Sequence, residues 1–189
     1  MPPIVRVHDL DFAETLSAGR IAARVTELAT QLRQRFTEPR PPGVPPAHAP
    51  LFVAVLRGAA VFHADLIRAY DGPLTVGFLR THSYVGTESS GEVAVDIPDD
   101  LALEGRDVVL VEDIADSGRT MRVLAKALTA RGVASLTTVV LLDKPSARVV
   151  EVDVDYAGFT IGPDFVIGYG LDYDGLGRNL PGVYTRVGR

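Results

Sequence analysis

Residues Asp107 to Thr120 read DVVLVEDIADSGRT, and within them Glu112, Asp113 and Asp116 follow an apolar run and precede Ser117, Gly118 and Thr120. Carboxylates at that spacing bind sugar hydroxyls or a hard cation such as Mg²⁺ through oxygen. Neighbouring side chains on a strand point to opposite faces, so Glu112 and Asp113 reach one ligand together only where the strand gives way to a loop. Asp116-Ser117-Gly118-Arg119-Thr120 then opens a helical pattern, whose first backbone N–H groups are free to cradle a phosphate. Gly118 would let the backbone approach it without a Cβ in the way. The plainer reading makes Asp116 or Ser117 a helix cap, and spacing alone does not choose between the two.

Several elements are needed to position these residues. The run LFVAVL (51–56) is continuously apolar, as expected of a strand covered on both faces, and LTVGFL (74–79), DVVLV (107–111) and SLTTVVLLD (135–143) read as further strands. Between them AAVFHADLIRAY (59–70) is helical, and Met121, Leu124, Ala125 and Leu128 form one helical stripe that stops at Arg131-Gly132. His63 is expected on the surface or edge of its helix. Ile21, Val25, Leu28, Ala29, Leu32 and Phe36 make an earlier helix that Ser17 can cap. EVAVDI (92–97) is a short strand, and VDYAGFTI, FVIGYGLDY and GVYTRV are short strands and loops near the C-terminus. TEPRPPGVPPAHAP (37–50) holds six prolines and is a surface connection. THSYVGTESSGE (81–92) is a long polar loop of the kind that often carries function. Strands alternating with helices imply a mostly parallel α/β sheet, with ligands at the carboxyl ends of its strands.

The 189 residues suffice for one domain with a real core. With 47% hydrophobic and 23% charged residues the chain is globular, and its net charge of −5 favours a small-molecule partner over nucleic acid. No stretch is long and apolar enough to cross a bilayer, and MPPIVRVHDLDF lacks the basic and apolar regions of a signal peptide. A cytoplasmic protein without a membrane partner is expected. There is no cysteine, which rules out disulfides, thiolate catalysis and cysteine-held metals. Neither a GxxxxGK[ST] loop nor a complete GxGxxG fingerprint occurs. A phosphoaspartate receiver draws its acids from separate strands and does not need Arg57-Gly58 or the long 81–92 loop.

VVLVEDIADSGRT resembles the phosphoribosyl-pyrophosphate (PRPP) motif of the type I phosphoribosyltransferases, specifically their hypoxanthine-guanine (6-oxopurine) branch. VLRGA, HSYVGTESSGE, LLDKP, FVIGYGLDY and RNLP follow in that family's order, so the likeness spans roughly Leu51 to Pro181. It implies one α/β domain with a mostly parallel central sheet flanked by helices, its core at about 51–150. A small hood would come from about 1–36, including the N-terminal helix, and from 151–189. It also implies transfer of the phosphoribosyl group from PRPP to a purine base, giving nucleoside monophosphate and pyrophosphate with Mg²⁺ as cofactor. A homodimer or homotetramer is implied as well. In these terms Glu112 and Asp113 hold the ribose, Asp116 to Thr120 wrap the 5′-phosphate, and Asp116 is the catalytic proton carrier at purine N7. Arg57, Gly58 and Arg178 meet the pyrophosphate, with a cis peptide at Leu56–Arg57, while Ser83 and Tyr84 belong to a mobile loop. Lys144, Phe165, Val166 and Asp172 bind the purine, and Glu112, Asp113 and Asp172 are the metal ligands. A lysine only donates hydrogen bonds, which suits the O6 of a 6-oxopurine and disfavours the amino group of adenine. A transferase for adenine or xanthine and a PRPP-sensing regulator on the same fold are the rivals. Gly175, Leu176 and Gly177 depart from the bulkier residues expected before Arg178, and a looser hood would follow.

Overall fold

A computed structural model describes residues 4–37, 49–83 and 93–188. Six strands form the main sheet: β3 (Leu51–Leu56), β4 (Thr75–Ser83), β5 (Val93–Asp96), β6 (Asp107–Ala115), β7 (Ser135–Asp143) and β8 (Tyr156–Thr160). Their order is β5-β4-β3-β6-β7-β8, parallel throughout except where β5 pairs antiparallel with β4. Helices α1 (Ala18–Thr37) and α2 (Ala60–Ala69) cover one face and α3 (Arg119–Ala130) the other.

The strand alternation explains why the apolar runs are unbroken. Phe52, Val109, Val111, Val139 and Leu141 pack beneath α1 and α2, while Leu51, Val53, Val55, Val108, Leu110 and Val140 pack beneath α3. All six apolar residues of the α1 stripe are buried, and the Arg20 N–H lies 3.4 Å from the Ser17 hydroxyl at the helix start.

A second, antiparallel sheet has the order β1-β2-β10-β9, from β1 (Ile4–Val7), β2 (Leu10–Leu16), β9 (Val166–Ile167) and β10 (Val183–Val187). It is the hood, closed over Val7, Phe12, Ile167 and Tyr184, and its membership differs from the expectation. The N-terminal helix packs on the main sheet, where Arg24 donates to the carbonyls of Gly158 (2.9 Å) and Ala157 (2.8 Å). β8 completes that main sheet beside β7 instead of joining the hood. The N-terminal contribution is instead the hairpin β1–β2, whose short alternation before Ser17 carried little signal.

His63 also departs from expectation. It is 2% exposed, its ring 3.3 Å from the Phe52 carbonyl, and burial lowers its pKa. The stretch 38–48 of the proline-rich connection and residues 84–92 of the long loop lie outside the described residues.

Candidate active site

The crossover directions reverse between β3 and β6. From β3 the chain passes through α2 to β4 on one side, and from β6 through α3 to β7 on the other. A crevice opens at such a switch point, beyond the carboxyl ends of the two strands. There lies a cavity of about 320 Å³, lined by Val55, Leu56 and Gly58 from the β3 end and by Glu112 to Ile114, Asp116 to Gly118, Thr120 and Met121 from β6 and α3. Thr81 of β4 and Asp172 and Arg178 of the C-terminal segment complete it.

The two acids reach the crevice for a reason other than the end of their strand. β6 stays paired with β7 through Ala115, but β3 leaves it after Val111. From Glu112 onward one edge of β6 is therefore open. Alternation puts Glu112 on the α3 side and Asp113 on the α2 side, where a Cβ on Gly58 would come within 1.5 Å of the Asp113 carboxylate. Only glycine fits there. Glu112 is 6% exposed, and burial, with the Asp113 charge beside it, pushes its pKa well above the usual carboxylate range. Burial raises Asp113 too, against the Ile114 N–H donating to its Oδ1 at 2.7 Å and the nearby Arg178 cation.

Gly118 starts α3 at φ 83 with no side-chain cap, so Asp116 is not the helix cap, and Ser117 Oγ makes only a long 3.4 Å contact with the Arg119 N–H. The glycine answers a local demand: its φ is left-handed, and a Cβ would meet the Val150 carbonyl at 2.5 Å. The Asp116 carboxylate is half exposed, with the Lys144 ammonium 3.7 Å away. Lys144 is 4% exposed and donates to the Asp164 carbonyl at 2.8 Å, which excludes a solvated surface lysine. Phe165, next in sequence, is 42% exposed, with Phe12 and Tyr173 against its ring.

The C-terminal wall is a chain of turns. Arg178 pairs with Asp172 Oδ1 at 2.6 Å and donates to the Gly170 carbonyl at 2.6 Å, while the Gly175 N–H donates to Asp172 Oδ2 at 2.7 Å. Tyr173 and Leu176 exchange backbone bonds of 2.9 and 3.1 Å, with Gly175 and Gly177 at positive φ. The small residues thus close a tight turn that bulkier ones would strain. The Tyr169 hydroxyl donates to Asp65 at 2.5 Å, which ties this wall to α2.

A family model described as a phosphoribosyl transferase domain matches residues 13–174. The hypoxanthine-guanine phosphoribosyltransferase of Lactococcus lactis is 49% identical over 71% of this chain and 73% of its own length. That of Bacillus subtilis is 39% identical over 92% of each. The chain belongs to the type I phosphoribosyltransferase family, in its hypoxanthine-guanine branch. A solved phosphoribosyltransferase structure agrees: the hypoxanthine enzyme of Trypanosoma cruzi, in complex with the product IMP, superposes with a TM-score of 0.81 at 35% identity. The match covers 96% of this chain and 97% of that one.

Of the residues expected from phosphoribosyltransferase motifs, Gly58, Glu112, Asp113, Asp116, Ser117, Gly118, Thr120, Asp172 and Arg178 share the one cavity. The peptide Leu56–Arg57 is cis. Outside the lining are Arg57, Arg119 and Phe165, which are exposed, and Lys144 and Val166, which are buried. Ser83 ends β4, and Tyr84 lies outside the described residues. Among the described residues no three His, Asp or Glu side chains converge into a metal site, although Glu112, Asp113 and Asp172 line the same cavity. Arg148, which the motifs did not single out, donates to the carbonyls of Ala115 and Asp116 and pairs with Asp143. Its spacing of four from Lys144 is the one trace it leaves in the sequence.

Proposed function

We infer that this chain transfers the 5-phosphoribosyl group from PRPP to a 6-oxopurine, hypoxanthine or guanine, giving IMP or GMP and pyrophosphate. One observation carries the reading. A single crevice at the β3/β6 switch point is lined by a buried acid pair, a loop opening into a helix N-terminus, and an arginine held by Asp172. A sugar, a phosphate and a pyrophosphate are the groups those three parts suit.

Ser117, Gly118 and Thr120 bind the 5′-phosphate, and Glu112 and Asp113 hold the ribose hydroxyls. As pyrophosphate departs, positive charge grows at the ribose, and carboxylates fixed beside it stabilise that charge without reorganising. Arg178 and the backbone at Arg57 and Gly58 bind the leaving pyrophosphate. Asp116, exposed at the loop's entry, takes the proton from purine N7 and makes the ring a better nucleophile. Lys144 donates to O6, Phe165 stacks on the base and Val166 contributes backbone contacts.

The donors suit Mg²⁺. Glu112 and Asp113 are carboxyls that burial leaves poor in compensating charge, and with Asp172 they offer oxygen alone. Bound there, the ion would neutralise charge on the leaving pyrophosphate. Among the described residues no helix is long and apolar enough to span a membrane. PRPP is too highly charged to cross a bilayer unaided, so the reaction takes place where PRPP is supplied, which in this reading is the cytoplasm. Val76 and Phe78 expose apolar surface on β4 that a homodimer or homotetramer would cover. The test is purified protein with PRPP, Mg²⁺ and each of hypoxanthine, guanine, xanthine and adenine in turn. IMP and GMP are expected; nucleotide from adenine alone, or from no base, contradicts the reading.

A further inference from the structure

The carbonyls of the loop that leads into α3 all turn to one side. Ala115 O accepts from the Lys144 N–H at 3.0 Å and from Arg148 Nη1 at 2.5 Å, and the same nitrogen donates to Asp116 O at 2.5 Å. Ser117 O accepts from the N–H groups of Val149 (2.9 Å) and Val150 (3.1 Å). Arg148 Nη2 is paired with Asp143, so its planar fork is held at both tips.

In a trans peptide the C=O of one residue and the N–H of the next point in opposite directions. Holding Asp116 O and Ser117 O against the 148–150 segment therefore turns the N–H groups of Ser117 and Gly118 the other way. That other side is the cavity, which both residues line. Neither N–H has a partner among the described residues. Ala115 O keeps the Lys144 N–H and Ser117 O keeps those of Val149 and Val150, so without Arg148 it is the Asp116–Ser117 peptide that is free to rotate, and the Ser117 N–H loses the aim it shares with that of Gly118.

We propose that Arg148 is a positioning residue for phosphate binding: its guanidinium clamps the Asp116 carbonyl, beside that of Ala115, and so orients the Ser117 amide toward the 5′-phosphate of PRPP and of the product nucleotide. The inference rests on the phosphoribosyl-transfer reading. It assigns a cost of a particular shape to the loss of Arg148, confined to ligands that carry the 5′-phosphate.

The test compares the wild type with Arg148→Met and with Arg148→Lys, which keeps a cation beside Asp143 but replaces the fork with a point charge. For each, the KM for PRPP, inhibition by IMP, the KM for hypoxanthine at saturating PRPP and the binding of ribose 5-phosphate are measured. Removing two charge-assisted hydrogen bonds should weaken PRPP, IMP and ribose 5-phosphate about tenfold or more in Arg148→Met, with a smaller loss in Arg148→Lys. The KM for hypoxanthine should stay within about twofold, and added guanidinium ion should restore part of the phosphate affinity. Parallel loss across all ligands without rescue, or no loss, overturns the proposal. If Arg148→Met does not fold, Arg148→Lys decides by the same pattern. A wild type that makes no nucleotide would refute the functional reading instead, and ribose 5-phosphate binding would still judge Arg148.

Discussion

The proposed ribose and phosphate side of the site and its proposed purine side are built in opposite ways. The first is nine consecutive residues, Glu112 to Thr120, carried by one strand end and one helix start. The second is gathered from Lys144 after β7, Phe165 before β9 and the turns around Asp172, strung from position 144 to position 172 along the chain. A contiguous site is set by local backbone geometry, so its chemistry is visible in spacing. An assembled site exists only once distant segments have packed. In this chain a single lysine joins the two, touching Asp116 on one side and the Asp164 carbonyl on the other.

The largest effect expected from breaking this arrangement is at the close approach of β3 and β6. Gly58→Ala would drive a methyl into the Asp113 carboxylate, and a displacement of about 1 Å at a reacting centre costs on the order of 100-fold in kcat/KM. Steady-state rates at saturating hypoxanthine check it, with circular dichroism to show that the fold persists. Next comes Arg178→Met, which removes the pair with Asp172 and the bond to Gly170 O. The KM for PRPP should rise about tenfold or more while the KM for hypoxanthine holds, because the loss falls on the sugar-phosphate side. Lys144→Met tests the purine side. It should lower the preference for hypoxanthine over adenine about tenfold, read from the ratio of kcat/KM values, and an unchanged ratio removes Lys144 from base recognition.

The smallest effect concerns stability. Glu112 holds its proton more tightly in the folded than in the unfolded chain, so its ionisation costs stability progressively as pH rises above the ordinary carboxylate range. Glu112→Gln should match the wild type below about pH 4 and melt higher at pH 8. A gain of about 1 kcal/mol corresponds to roughly 2–4 °C for a chain of this size. Thermal melts at the two pH values check this, and activity should fall as stability rises.

The contrast also explains what the sequence made legible. Strands β3, β6 and β7 and the α1 and α3 stripes could be read because burial on both faces, or on one stripe, writes itself into apolar spacing. The acid pair and the Ser117–Thr120 loop were legible as sugar and phosphate chemistry. The choice between phosphate cradle and helix cap was not, because it turns on the left-handed φ of Gly118, which spacing does not encode. Nothing in the spacing around Lys144 and Phe165 points to a purine, and it took a family resemblance to connect them with one. In the structure the lysine is buried and the phenylalanine exposed, the reverse of what their polarity alone favours. The hood's two chain ends were legible, but not which of their elements form it: α1 packs on the main sheet, and β8, a few intermediate residues at a sheet edge, carries no pattern that separates it from the hood strands. Arg148 was invisible because its role is to hold backbone atoms thirty residues away.

The central claim is that the two sides are separable at Asp116, which borders the phosphate loop but acts on the base. The most direct test is the single-turnover rate of Asp116→Asn with saturating hypoxanthine, measured as a function of PRPP concentration. The plateau should fall by about 100-fold or more while the half-saturating PRPP concentration stays within about threefold of the wild type. A preserved plateau, or a loss that appears as weaker PRPP binding, would contradict the account.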